Sequence, residues 1–198
     1  MVMEGSYDSA QMADENAVPA GDKTSIMYSG VLDLRYGIPE LLDAMELLDD
    51  SCELWLTGAG NAVPLIEERA KTDSRIKFYG YLPSRQDLLN KQAQATMLIN
   101  PRRDIEEASQ YCFPSKLFEY MVSGRPTISC YLAGIPEEYF CHLIPLESVT
   151  PEQIAACVRQ VQTMTPERRK DMGEASRRFI LENKNNVTQA GRILDFVG

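Results

Sequence analysis

From residue 26 onward the apolar positions of the chain fall into two alternating rhythms. The runs "IMYSGV", "CELWLTG", "RIKFYGYL" and "ATMLIN" are short and densely apolar, as strands are. Between them, "GIPELLDAMELLDD" spaces Ile38, Leu41, Leu42, Met45 and Leu48 at helical intervals, and "NAVPLIEERAKT" and "SRQDLLNKQAQ" read as further helices. In "FPSKLFEYMVSGRPTI", Pro114 suits a first helical turn, Gly124 suits an end, and Pro126 forbids continuation. This predicts a helix of about ten residues feeding the strand "RPTISCY". "CHLIPL" reads as one more strand, and the tail from Pro151 as amphipathic helices. Residues 1–24 are small, polar and acidic without a period, so a disordered leader or linker is expected there, with the folded domain over 25–198.

Strands alternating with helices across short connections imply parallel βαβ units with right-handed crossovers. Runs as apolar as "LWL" and "MLI" need cover on both faces. The expected fold is therefore a Rossmann-like three-layer α/β/α domain with a mainly parallel sheet of about six strands. In such sheets ligands bind beyond the carboxyl ends of the strands, which directs attention to Gly30, Gly58 to Gly60, Gly80, Asn100 and the helix start at Ser115.

Composition narrows the function classes. With 198 residues, 44% hydrophobic and 25% charged, the chain suits one globular domain with a sizeable core. No apolar run is long enough to span a membrane, and the amino end lacks a signal-peptide pattern, so the expected location is cytoplasmic. A net charge of −9 argues against wrapping a nucleic-acid backbone, though not against a small anion held by local donors. The five cysteines are scattered and read as reduced core residues, and no cluster has metal-ligand spacing, so no metal site is expected.

Glycines end three successive strands, at "YSGV", "LTGAGNA" and "FYGYL", where a missing side chain lets backbone N–H groups approach a ligand. Any one of them is equally compatible with an ordinary turn. Neither a full dinucleotide fingerprint nor a P-loop is present. At "PSK", exposed N–H groups with Ser115 and Lys116 would favour a phosphate, and Glu119 one turn later would accept from sugar hydroxyls. The plainer alternative is a capping serine and a surface Lys–Glu pair. His142, the only histidine, reads as a packed or partly exposed strand residue rather than a catalytic base, and "NPRRD" places Arg102 and Arg103 after a strand, where one could touch an anion but a solvated loop is the plainer role.

"FPSKLFEYMVSGRPTI", together with "YSGVLDLRYGI", "LWLTGAG", "IKFYGYL" and "GIPEEY" in that order, resembles the donor-binding, carboxyl-terminal half of retaining GT-B glycosyltransferases of family 4 (group 1), over residues 26–196. The resemblance implies a nucleoside diphosphate sugar as donor substrate and no metal or other cofactor. It is nearest to bacterial enzymes of capsular, exopolysaccharide or O-antigen synthesis. It assigns Glu119 to the ribose hydroxyls, and Ser115 and Lys116 to the diphosphate. Gly30 and Val31 correspond to the backbone turn near the phosphates, with Gly58 and Gly60 on the same edge, and Tyr81 and Leu82 to the nucleobase edge. Arg35 corresponds to a phosphate-clamping cation, so that Lys116 and Arg35 would carry the catalytic charge. The family's second acid, eight positions before the ribose acid, is replaced here by Tyr111, with Glu106 and Glu107 out of register. The implied partner is an amino-terminal acceptor-binding domain or separate subunit, without which the chain is expected to be inactive. Peripheral membrane association of a full enzyme is compatible with this reading. The alternative is a non-catalytic nucleotide- or partner-binding module on the same scaffold.

Overall fold

The computed structural model of the chain describes residues 4–8, 21–103 and 113–198. Six strands form one sheet: β1 (Thr24–Val31), β2 (Cys52–Ala59), β3 (Ile76–Phe78), β4 (Met97–Asn100), β5 (Thr127–Cys130) and β6 (Ile144–Leu146). Their order is β3-β2-β1-β4-β5-β6 and every pairing is parallel. The connecting helices are α1 (Ile38–Ala44), α2 (Val63–Thr72), α3 (Arg85–Gln94), α4 (Lys116–Val122) and α5 (Pro151–Gln162). They are followed by α6 (Pro166–Asn183) and α7 (Asn186–Val197).

The strands carry apolar side chains on both faces. Ile26, Tyr28, Leu54, Leu56, Met97 and Ile99 pack in one core cluster with Leu41 and Leu42 of α1, Ile66 of α2 and Ile154 and Val158 of α5. The intervening Met27, Trp55 and Leu98 pack against Tyr120 of α4 on the opposite face. This is the period-two alternation of a sheet covered on both sides.

Strand order reverses between β1 and β4, and there the two strands part. They are paired only at Ile26–Met97 and Met27–Leu98. Ser29, two residues further along β1, would be left with an unpaired N–H and C=O in a buried place. The Tyr120 hydroxyl takes both: it accepts from Ser29 N–H at 2.8 Å and donates to Ser29 C=O at 3.0 Å. Gln92 of α3 donates to Ser29 Oγ at 3.0 Å.

Three sequence expectations change. The predicted ten-residue helix shortens to the seven residues of α4, because its first turn is tighter: Leu117 N–H bonds to Pro114 C=O, three residues back, at 2.8 Å. Cys141 and His142 close a 3-10 turn, Glu137–His142, instead of opening a strand. The disordered leader does not hold for residues 4–8. Tyr7 is buried, its N–H donates to Lys184 C=O at 2.8 Å, and its C=O accepts from Asn186 N–H at 3.1 Å. Lys184, itself buried between α6 and α7, pairs with Glu4 and, at 2.5 Å, with Glu138. A polar average over 24 residues hides one aromatic anchor and one carboxylate matched to a buried cation. Residues 9–20 lie outside those described.

Removing the Tyr120 hydroxyl leaves two buried backbone groups without partners, at about 1–3 kcal/mol each. Tyr120→Phe is therefore expected to lower unfolding free energy by about 2–6 kcal/mol in urea titration. A loss below about 0.5 kcal/mol, the range of an inert surface change, would contradict this role.

Candidate functional site

The carboxyl ends of β1, β2 and β3 lie side by side. Gly30 and Gly58 are register partners, Gly58 N–H donates to Gly80 C=O at 2.8 Å, and Thr57 Oγ1 donates to the same carbonyl at 2.7 Å. Gly58 has φ 133°, and a Cβ there would meet Gly30 C=O at 1.8 Å, so only glycine allows the two strand ends to lie this close. Gly60 abuts the Leu32 carbonyl and closes the following turn.

Beyond these ends lies a pocket of about 530 Å³, lined by Gly30, Val31, Thr57, Gly58 and Ala59 on the sheet side and by Tyr81, Leu82, Pro83, Ser84, Arg85 and Leu88 opposite. Most of the wall is apolar or backbone. Ser84 caps α3 by accepting from Asp87 N–H, which sets Arg85 at the mouth. Arg85 Nη2 pairs with Glu119 Oε1 at 3.1 Å, so the acid singled out in the sequence reaches this pocket through an arginine.

A second cavity of about 200 Å³ shares Val31 with the first and is lined by Tyr28, Tyr36, Arg102, Phe113, Pro114, Ser115 and Lys116. Tyr28 forms part of its wall; its hydroxyl donates to Val31 C=O at 2.7 Å, and Lys116 Nζ lies 3.9 Å from its ring centroid. Lys116 also lies so close to Gly30 that a Cβ there would stand 3.2 Å from Nζ. Burial, reinforced by the nearby Arg102 guanidinium and opposed by Glu119, depresses the Lys116 ammonium to about 7.

Most of the expected site residues converge at this edge. Gly30, Val31, Gly58, Tyr81 and Leu82 line the larger pocket, Ser115 and Lys116 the smaller, and Glu119 bridges to Arg85. Ser115 makes no side-chain cap, so its hydroxyl is not spent on the helix. Arg35 is not brought in: Asp33 holds its Nε and Nη2, each at 3.0 Å, and it lines neither cavity. Tyr111, Glu106 and Glu107 lie outside the described residues. The solvated-loop expectation fits Arg103, which pairs with Glu40, but not Arg102, which turns inward with its guanidinium carbon 4.8 Å from the Tyr36 ring centroid. Arg85 escaped the sequence reading because its position at a helix start carried no signal of a partner 34 residues away on α4. His142 stacks on Phe179 with ring centroids 4.4 Å apart and lines neither cavity. Among the described residues no group of three or more His, Cys, Asp or Glu is placed to hold a metal ion, and no helix is long and apolar enough to cross a membrane.

The sequence model of the family described as Glycosyl transferases group 1 matches residues 23–163, well over half of the chain. The chain belongs to this family. No curated protein sequence matches it. Solved structures give the same fold at low identity. HepE from Anabaena, in complex with UDP and glucose, is 13% identical with a TM-score of 0.70, over 89% of this chain and 48% of its own. S. aureus TarM, as a variant in complex with Fondaparinux, α-GlcNAc-glycerol and UDP, is 15% identical with a TM-score of 0.74, over 93% of this chain and 37% of its own. The carboxyl-terminal domain of the group 1 family protein LpcC from Francisella tularensis is 13% identical with a TM-score of 0.70, over 88% of this chain and 96% of that domain. This group 1 chain thus spans less than half of HepE and TarM, and its fold is one half of the GT-B arrangement.

The lowered Lys116 value has a measurable consequence for anion binding by this group 1 domain. The Lys116 ammonium, lowered to about 7, gives up its proton as the pH rises through neutrality. A bound anion favours the charged form, so above that pH binding takes up a proton and affinity falls by up to about tenfold per pH unit. Calorimetry of pyrophosphate binding at pH 8, in buffers of different ionisation enthalpy, should show uptake of a substantial fraction of one proton that vanishes in Lys116→Met. Binding without proton uptake would contradict the assignment.

Proposed function

We propose that this chain is the donor-binding domain of a retaining group 1 glycosyltransferase, accepting a nucleoside diphosphate sugar and serving bacterial surface or capsular polysaccharide synthesis. The observation that carries the reading is the pair of adjoining cavities meeting at Val31: one wide and largely apolar, the other smaller and cationic. That is the division of chemistry a nucleoside diphosphate requires, a base and ribose on one side and phosphates on the other. UDP is bound in the HepE and TarM structures, and both share this fold.

In this reading Tyr81 and Leu82 flank the base, and Glu119 accepts from the ribose hydroxyls. Ser115, Lys116 and the backbone at Gly30 and Val31 receive the phosphates. Cleavage of the sugar C1–O bond leaves its electron pair on the β-phosphoryl oxygen. Charge developing there is stabilised by donors that the fold holds in place before the bond breaks. The acceptor and the face of attack belong to an acceptor-binding domain or subunit, without which transfer by this chain alone is expected to be negligible. No metal is required in this scheme.

Glu119 gives the sharpest test. Its charge strengthens any bond it accepts, so Glu119→Gln should weaken UDP binding about tenfold in calorimetric titration while the fold is retained. Wild type should bind 2′-deoxy-UDP poorly, and the substitution should change that affinity little, because the interaction removed is already partly absent. Equal UDP affinity in wild type and Glu119→Gln would take Glu119 out of the site.

A further inference from the structure

We propose that Arg102 is the second cation of the phosphate subsite, facing the anion together with Lys116, and that Arg35 is not. The inference rests on the nucleoside diphosphate reading above and adds a residue to it. Arg102 follows Pro101 at the end of β4, on the far side of the gap where β4 and β1 part, while Lys116 enters from α4. Both line the same 200 Å³ cavity, and among the described residues no carboxylate shares its wall.

Each cation is supported from below by a tyrosine. The Arg102 guanidinium carbon lies 4.8 Å from the Tyr36 ring centroid and Lys116 Nζ 3.9 Å from that of Tyr28. Arg102 Nε is buried without a hydrogen-bond partner. Two neighbouring positive groups, one with an orphaned donor, are unfavourable in the empty fold. A multi-oxygen anion removes both penalties at once. Arg102 would give it a planar fork of donors, and Lys116 a mobile point charge.

The other arginines nearby are already occupied. Arg35 is bound through two nitrogens by Asp33, whose carboxyl its hydrogen bonds hold at about 2, and Arg103 is taken by Glu40. Among the described residues, the groups around Lys116 are Tyr28 from β1, Tyr36 from the turn before α1, Arg102 from the end of β4 and Glu119 from its own helix. Arg102 opposes its charge and Glu119 favours it.

Calorimetric titration of the full chain with UDP and with inorganic pyrophosphate tests this, with uridine binding followed by NMR and thermal melts as a control on folding. R102Q should weaken UDP and pyrophosphate by about tenfold or more and leave uridine unchanged, whereas R35Q should stay within about twofold of wild type. The pH above which pyrophosphate binding declines should move upward in R102Q, because Lys116 loses a like-charged neighbour; a packing role would not move it. If R102Q melts early, R102K decides: it keeps the charge without the fork, so affinity intermediate between wild type and R102Q supports the proposal and wild-type affinity overturns it. Undiminished binding by R102Q, or an equal loss in R35Q, also overturns it. Wild type that binds pyrophosphate but not UDP would end the nucleotide reading while leaving the Arg102 clamp standing if R102Q loses that binding. Wild type that binds neither ends both.

Discussion

β1 and β4 share a ladder only as far as Met27 and Leu98, and the arrangement of the ligand end follows from how the two strands separate beyond that point. Separation opens a crevice at the place where strand order reverses, but it also strips Ser29 of its neighbour in a buried setting. The Tyr120 hydroxyl repairs the loss by serving both Ser29 backbone groups. Because Tyr120 sits one turn after Lys116 on α4, that repair also fixes where the first turn of α4 lies: across the mouth of the crevice, with Lys116 against Gly30 and over Tyr28. A backbone hydrogen-bonding requirement thus sets the position of a charged side chain at the candidate site.

The electrostatics of that mouth are divided. On the side of β2 and β3 the pocket is mostly apolar, and Arg85, which lines it, is paired with Glu119. On the side of β4 the cavity collects Arg102 and Lys116 with no described carboxylate between them. A seven-residue helix has too small a dipole to dominate here, so side-chain charge carries most of the attraction for an anion. The opposite surface of α4 is held from a distance: Leu117, Phe118 and Met121 pack in one cluster with Tyr7, Tyr139 and Ile180, which ties the segment 4–8 and α6 to the element that bears the site.

Periodicity made the alternation of strands and helices legible, and with it the sheet edge on which Gly30, Gly58, Ser115 and Lys116 meet. What escaped it were contacts set by tertiary packing. "EYMV" reads as a core-facing helical stretch, and nothing local says that the Tyr120 hydroxyl serves a strand 91 positions earlier. Two adjacent arginines look alike in "NPRRD", yet Arg103 faces Glu40 and Arg102 faces the cavity, a difference decided by the path of the backbone after β4. Arg35, favoured by resemblance, is neutralised by an aspartate two residues before it. Residues 4–8 read as leader because the composition there is polar overall, while Tyr7 and Glu4 answer an apolar cluster and a buried Lys184 at the far end of the chain.

The central claim is spatial: one nucleotide spans both cavities across Val31. Mapping backbone amide shifts during titration of the isotope-labelled chain with UDP tests it most directly. The account predicts saturable shifts at Gly30 and Val31, Gly58 and Ala59, Tyr81 to Arg85 and Ser115 to Glu119, with α6, α7 and residues 4–8 nearly silent. Shifts confined to α7 or to the amino ends of the strands, or no saturable response, would contradict it.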